Sequence, residues 1–273
     1  MPCTASAKIT GWTTRNPLAS LSDDEVFGRG LAAARIADDD GDHGYWACVV
    51  ELNRNRATRA IFDRAVRLAS QREPAAPCFD IDVLNEFGFE QGCPYQDDSV
   101  TVLSSALDAN EVEVVTSALA ALSKFAPSTA RDRVIAFHTH SDDRVRFACA
   151  CALPRFASDN LGDDDPVAAA LIELMKDADF FVRDWATMGL GSQTSLDGVQ
   201  IRNALVDRLD DQDAATRDEA ISSLARRHDR SVFPAITKAL AAESVSRIVV
   251  GAAAMLADER LLPLLEGGGD GLG

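Results

Sequence analysis

Four segments of the chain align without gaps on the spacing of their apolar positions: VTSALAAL (Val115 to Leu122), RFACACAL (Arg146 to Leu153), RDWATMGL (Arg183 to Leu190) and RDEAISSL (Arg217 to Leu224). In each, the residue three places on is small (Ala118, Cys149, Ala186, Ala220), and the residue seven places on is Leu. Offsets of 0, 3 and 7 fall on one face of an α-helix, and a small residue in the middle lets a neighbouring helix come close. The four starts are separated by 31, 37 and 34 residues. Weaker copies stand at Tyr45–Cys48–Leu52, Pro77–Asp80–Leu84 and Val249–Ala252–Leu256. Together they form about seven copies at a period near 34, the signature of a repeat architecture.

Ahead of these segments lie further amphipathic stretches: VAAALIELM (Val167 to Met175), IRNALVDRL (Ile201 to Leu209) and VFPAITKAL (Val232 to Leu240). Polar turns join each pair, namely KDAD (Lys176 to Asp179), DDQD (Asp210 to Asp213) and AAES (Ala241 to Ser244). Their Asp and Ser residues suit the capping of a following helix. Gly88, Gly191 and the His228–Asp229 pair close second helices. The pattern predicts an all-α fold, an α-solenoid of about seven stacked helix-turn-helix repeats over residues 24–266. An irregular N-terminal segment, 1–23, precedes it, and a flexible Gly-rich tail, 267–273, follows. A single hairpin cannot hide its apolar face, so each repeat is expected to bury it against its neighbours. On the second helices, Asp184, Thr187, Met188, Asp218, Ser222 and Arg226 lie off the apolar stripe and are expected to be exposed.

Charge narrows the function classes. Asp and Glu number 43 against 27 Lys and Arg, a formal net charge of −16 over 273 residues. That balance repels a polyanion, and no basic run is segregated from it, so nucleic acid is not an expected ligand. Apolar residues make up 47% of the chain, enough for a core, while aromatics are only 6%. No apolar run reaches the ~18 residues of a membrane span, and the N-terminal residues lack a signal-peptide core. A cytoplasmic location with no membrane partner is expected. The 6 cysteines are too dispersed for a secreted disulfide framework and read as free thiols.

Candidate chemistry is sparse. His138, His140, Cys149 and Cys151 are zinc-ligand types close in sequence. However, Cys149 and Cys151 are two apart on a helix and diverge by ~200°, and Cys149 fills the small-residue slot of its repeat. Asp38–Asp42, Asp163–Asp165 and the DDQD turn do not match a calcium loop, and Asp164 and Asp165 precede Pro166 as helix-start acids do. No nucleophile elbow, Cys–His arrangement or phosphate cradle occurs. The chain is therefore expected to be no enzyme and to hold no metal or cofactor. Trp185 and Trp46 stand next to stripe positions, suited either to packing or to an exposed face, and Trp12 lies in the N-terminal segment, which is expected to cap the first hairpin.

The stretches DADFFVRDWATMGLG (Asp177 to Gly191), HSDDRVRFACACAL (His140 to Leu153) and DQDAATRDEAISSL (Asp211 to Leu224) carry a D-x-x-x-x-VR-x-x-A-x-x-x-L signature or close copies of it. The signature resembles that of bacterial HEAT-repeat proteins, of the short HEAT-like type also found in phycobilisome lyase subunits. The likeness is strongest over residues 98–257 and departs from the pattern where the Arg position reads Val115, Pro77 or Val249. It implies that Arg146, Arg183 and Arg217 are ladder residues, each pairing with a turn Asp of an adjoining repeat. It also implies a concave face lined by second helices, suited to protein recognition. Phe147, Asp184, Trp185, Met188, Asp218 and Glu219 are the expected partner contacts, and the acidic balance points to a partner with a basic surface. The functional expectation is a non-enzymatic protein-binding scaffold, in specific form an inhibitor or immunity protein for a basic toxin or effector. The alternatives are a bilin-lyase-like chaperone subunit and a helical-repeat DNA glycosylase, the latter with the wrong sign of charge.

Overall fold

A computed structural model describes residues 16–34, 43–71, 78–87, 92, 94–158 and 161–267. Every regular element among the described residues is helical. In chain order these are α1 (Asp23–Ala34), α2 (His43–Val50), α3 (Arg59–Gln71), α4 (Phe79–Glu86), α5 (Gln96–Ala106), α6 (Val112–Phe125), α7 (Arg131–Ala136), α8 (Asp143–Ala152), α9 (Pro166–Leu174), α10 (Phe180–Met188), α11 (Val199–Asp207), α12 (Ala214–Arg226), α13 (Phe233–Leu240), α14 (Arg247–Leu256) and α15 (Leu262–Gly267). The chain divides into two compact units, Met1–Ala106 and Leu107–Gly273. The fold is an all-α solenoid.

In the second unit the even-numbered helices form one row, with α6 on α8, α8 on α10, α10 on α12 and α12 on α14. The first helices α7, α9 and α11 follow one another in the same order, and each packs on its own partner. The row is close because the stripe is small and apolar: Ala118, Cys149, Ala186 and Ala220 are wholly buried, as are Leu122, Leu153, Leu190 and Leu224. Removing a buried Leu side chain of this kind costs ~2–5 kcal/mol.

The buried stripe is wider than offsets 0, 3 and 7. Leu119, Thr187 and Ile221, at offset 4, are buried too. Thr187, expected at the surface, is buried because its Oγ1 donates to the Arg183 carbonyl one turn back (2.7 Å) and its methyl joins the core. Ser222 is likewise buried, together with Ser223. A π-helical turn, Gly189–Gln193, follows α10, and Ser223 presses into Gly191 there, leaving no room for a Cβ.

Helix starts are built from acids. Asp142, Asp165, Asp179 and Asp213 each accept a hydrogen bond from a first-turn amide of the helix that follows. Before α14 the cap is Ser246, two residues beyond the AAES turn, and not Ser244. Counted from that cap, the last copy is shifted by one: Val249 takes the place of buried Val145 and Val182, and Val250 takes the Arg position. The shift explains why Leu256 is only half-buried where other copies bury their Leu. Asp163 reaches further, accepting from Gln200 N (3.1 Å) and Ile201 N (3.0 Å) at the start of α11.

The first unit packs larger rings. Phe27 meets Phe79 edge to face at 6.0 Å, and α1 approaches α4 so closely that a Cβ on Gly30 would lie 2.1 Å from the Phe79 ring. Residues 16–22 are tied down by Arg56, which donates to the Leu18 and Leu21 carbonyls and pairs with buried Glu51 at 2.8 Å. Asp80, in the small-residue slot of its copy, is buried, and burial pushes its carboxyl up to about 6. Trp12, Pro77, Gly88, the 38–42 acidic run and residues 268–273 lie outside the described residues.

Candidate protein-interaction face

The arginines that follow the buried Val, or its Thr216 equivalent, share one construction. Arg146, Arg183 and Arg217 each direct Nη1 at the two carbonyls that begin their own turn, at 2.9 and 3.0 Å, 3.0 and 3.1 Å, and 2.6 and 3.0 Å respectively. Those bonds fix the guanidinium plane. The Nε–Nη2 edge of Arg146 then takes Asp177 of the next repeat (2.6 and 3.0 Å), and that of Arg183 takes Asp211 (3.0 and 3.0 Å). Burial alone would raise Asp177 and Asp211, but the arginines together with a turn amide more than offset it and hold both carboxyls below their ordinary range. Each Asp also accepts from a turn amide, Asp179 N or Asp213 N, at 2.9 Å. In the α8 turn His140 does the amide part of this work, its Nδ1 accepting from Asp142 N at 3.1 Å. It has no arginine to pair with, since the helix before it carries Val115. Arg217 has its two carbonyls and, among the described residues, no acid partner.

Further bonds between repeats were not foreseen. Arg227 donates to the carbonyls of Gly191, Leu190 and Leu196, holding the π-helical turn of the preceding repeat from within. Arg208 donates to Met175 O (2.9 Å), and Arg131 pairs with fully buried Asp165. Their sequence separations, 31 to 37 residues, sit near one repeat period. That spacing was the available signal: a long polar side chain one period away from a turn.

Against this background one face stands apart. Most buried and half-buried acids of the second unit accept hydrogen bonds: Asp142, Asp163, Asp165, Asp177, Asp179, Asp211, Asp213, Asp229 and Asp258. Asp184, Asp218 and Glu219 are half-buried and have no such bond. The Asp184 Oδ1 is buried without a donor. Burial, with the charges of Asp213 and Asp211 adding, pushes the Asp184 carboxyl up to about 6. Glu219 is raised by burial first and then by Asp184 and Asp218, against an opposing pull from Arg226, which places it within electrostatic reach of both other acids. A half-buried carboxylate without a partner destabilises the fold, and three together more so.

Beside them, Phe147 of α8 meets Trp185 of α10 edge to face, centroids 5.6 Å apart, both rings half-buried. The structure thus joins two groups from the sequence reading, Phe147 with Trp185 and Asp184 with Asp218 and Glu219. Met188 lies one turn along α10 from Asp184, half-buried. Two exposed rings, Phe180 and Phe181, lie tilted against each other with centroids 3.9 Å apart at the start of α10, a feature not expected from the sequence.

The metal-ligand types are used otherwise. Cys149 Sγ is buried and donates to Val134 O at 3.3 Å, with burial pushing its thiol up, and His138 Nδ1 bonds to Ile135 O at 2.8 Å. Among the described residues no group of three or more His, Cys, Asp or Glu is arranged to hold a metal ion, and no helix is long and apolar enough to cross a membrane.

Comparison with known proteins agrees with this architecture. Residues 96–191 match the family model for HEAT repeats. Protein YibA of Escherichia coli K12 is 33% identical over 104 residues, which cover 38% of this chain and 37% of the relative. The aligned part thus spans little more than a third of that curated relative. The crystal structure of Escherichia coli YibA superposes with a TM-score of 0.66 at 23% identity, covering 90% of this chain and 86% of that one. An engineered protein gives 0.57 at 16% identity, covering 86% and 70%. At these identities the structural likeness shows the fold.

Proposed function

We propose that this all-α solenoid, in which residues 96–191 match HEAT repeats, is a non-enzymatic protein-binding scaffold whose recognition face is the exposed side of α8, α10 and α12. The observation that carries the reading is the unpaired trio Asp184, Asp218 and Glu219 beside the Phe147–Trp185 pair. Elsewhere in the unit the chain neutralises half-buried acids with arginines or amides. Leaving three without a hydrogen-bond donor on one face is a cost that a cation from outside would reverse. Aromatic rings next to carboxylates suit an arginine or lysine side chain, which gains from both the ring face and the charge.

The partner in this reading is a protein with a basic surface, drawn to a chain of net charge −16. Its specific form is an inhibitor or immunity protein that covers a basic toxin or effector. Met188, next to the trio, is the place to test it. A photoreactive amino acid at position 188, irradiated in the native host extract, is expected to cross-link to a Lys/Arg-rich segment of one protein. The adduct is expected to fall with rising salt and to vanish with Trp185→Ala. An adduct indifferent to both overturns the proposal.

A further inference from the structure

The repeat ladder contains its own control experiment. Three guanidinium groups are held in the same way by two turn carbonyls, and in two of them the free edge grips a carboxylate of the next repeat. The gripping acids, Asp177 and Asp211, stand two residues before the caps Asp179 and Asp213. Two residues before the next cap, Ser246, stands Ser244. Its hydroxymethyl group is too short to reach as a carboxylate does and carries no charge. Glu243 beside it is exposed and makes no bond to Arg217.

We propose that the Nε–Nη2 edge of Arg217 is an open site for a carboxylate from outside the chain, of the class an Asp or Glu side chain of a partner carries. The fork is pre-ordered, so little is lost in fixing it when the acid arrives. Neither Nε nor Nη2 of Arg217 is a buried orphan, unlike the Nε atoms of Arg131 and Arg227, so solvent reaches both. What the edge takes is shown by Arg146 and Arg183: a planar carboxylate, bidentate. Arg217 directly precedes Asp218 and Glu219, so the site lies at the edge of the acidic group. Nothing in the preceding proposal uses Arg217, and this site does not depend on it.

The test is a side-chain NMR titration of the full chain with sodium acetate, sodium chloride serving as the ionic-strength control. The Arg217 Hε–Nε signal is expected to shift saturably with acetate and not with chloride, while the filled edges of Arg146 and Arg183 stay still. Ser244→Asp supplies the missing rung from within; it is expected to abolish the acetate shift and raise the melting temperature. Trp185→Ala, which removes partner binding under the reading above, is expected to leave the acetate shift intact, which separates the two proposals. An Arg217 signal that moves equally with chloride, or an acetate shift that survives Ser244→Asp, overturns the site.

Discussion

Replacing Arg183 by Ala removes a bidentate ion pair that ties two repeats together, and the structure sets its cost. The Arg183 side chain is 14% exposed and that of Asp211 4%. Breaking one side of a buried pair costs ~3–5 kcal/mol, because the remaining charge is left without compensation. Asp211 keeps Arg208 at 3.0 Å and the Asp213 amide at 2.9 Å, which brings the expected loss to about 2–3 kcal/mol. At ~2–4 °C per kcal/mol for a unit of this size, the melting temperature falls by about 4–12 °C. Arg217→Ala is the internal reference: it loses the same kind of carbonyl bonds but no acid, so about 1 kcal/mol is expected.

Urea and thermal denaturation of both variants, with an Arg183–Asp211 double-mutant cycle, measure the difference. The pH dependence follows from the same pair. The Asp211 carboxyl is depressed in the folded chain, so its contribution is present above the unfolded value near ~4 and is lost as pH falls through the lower folded value. The gap between wild type and Arg183→Ala therefore narrows in strong acid to the carbonyl bonds that Arg183 also makes, about 1 kcal/mol. Equal losses for Arg183→Ala and Arg217→Ala at neutral pH would refute the ladder as a source of stability.

The unpaired acids predict the opposite sign. The folded pKa of Asp184 is raised, so its penalty is absent below the unfolded value and grows as pH rises through about 6. Asp184→Asn is expected to stabilise the chain at pH 8 by on the order of 1 kcal/mol, a value discounted for its partial exposure, and to give no gain at pH 3, as read by melting temperature. Asp163→Ala removes the cap it places on α11 across a repeat boundary and is expected to cost about 1 kcal/mol, read by urea midpoint. Arg227→Ala releases the carbonyls of the π-helical turn, and hydrogen exchange is expected to rise first in residues 190–197.

The fold was legible because a repeat states its period several times over. One Ala at Ala186 means little, but four small residues at matching places define a stripe. The turn acids were equally readable, since capping needs only local sequence. The sequence resolved less well where one residue of slippage changes partners. Counting back from Leu256 put the last copy one residue out of register, and only the Ser246 cap reveals it. Thr187 looked polar in a linear reading, yet one bond to a carbonyl lets it join the core. The candidate face was half visible: its residues could be chosen by position. What sets them apart is the lack of a donor for Asp184, which depends on where every arginine goes in three dimensions.

Titrating a hexa-arginine peptide into the full chain by calorimetry, at low and at high salt, tests the recognition face most directly. The expected result is binding that weakens with salt and falls at least about tenfold, or ~1.4 kcal/mol, in a chain carrying Asp184→Asn, Asp218→Asn and Glu219→Gln together. Undiminished binding by that triple variant would mean that the peptide reads the general negative charge of the chain and that the three acids beside Trp185 are not its recognition site.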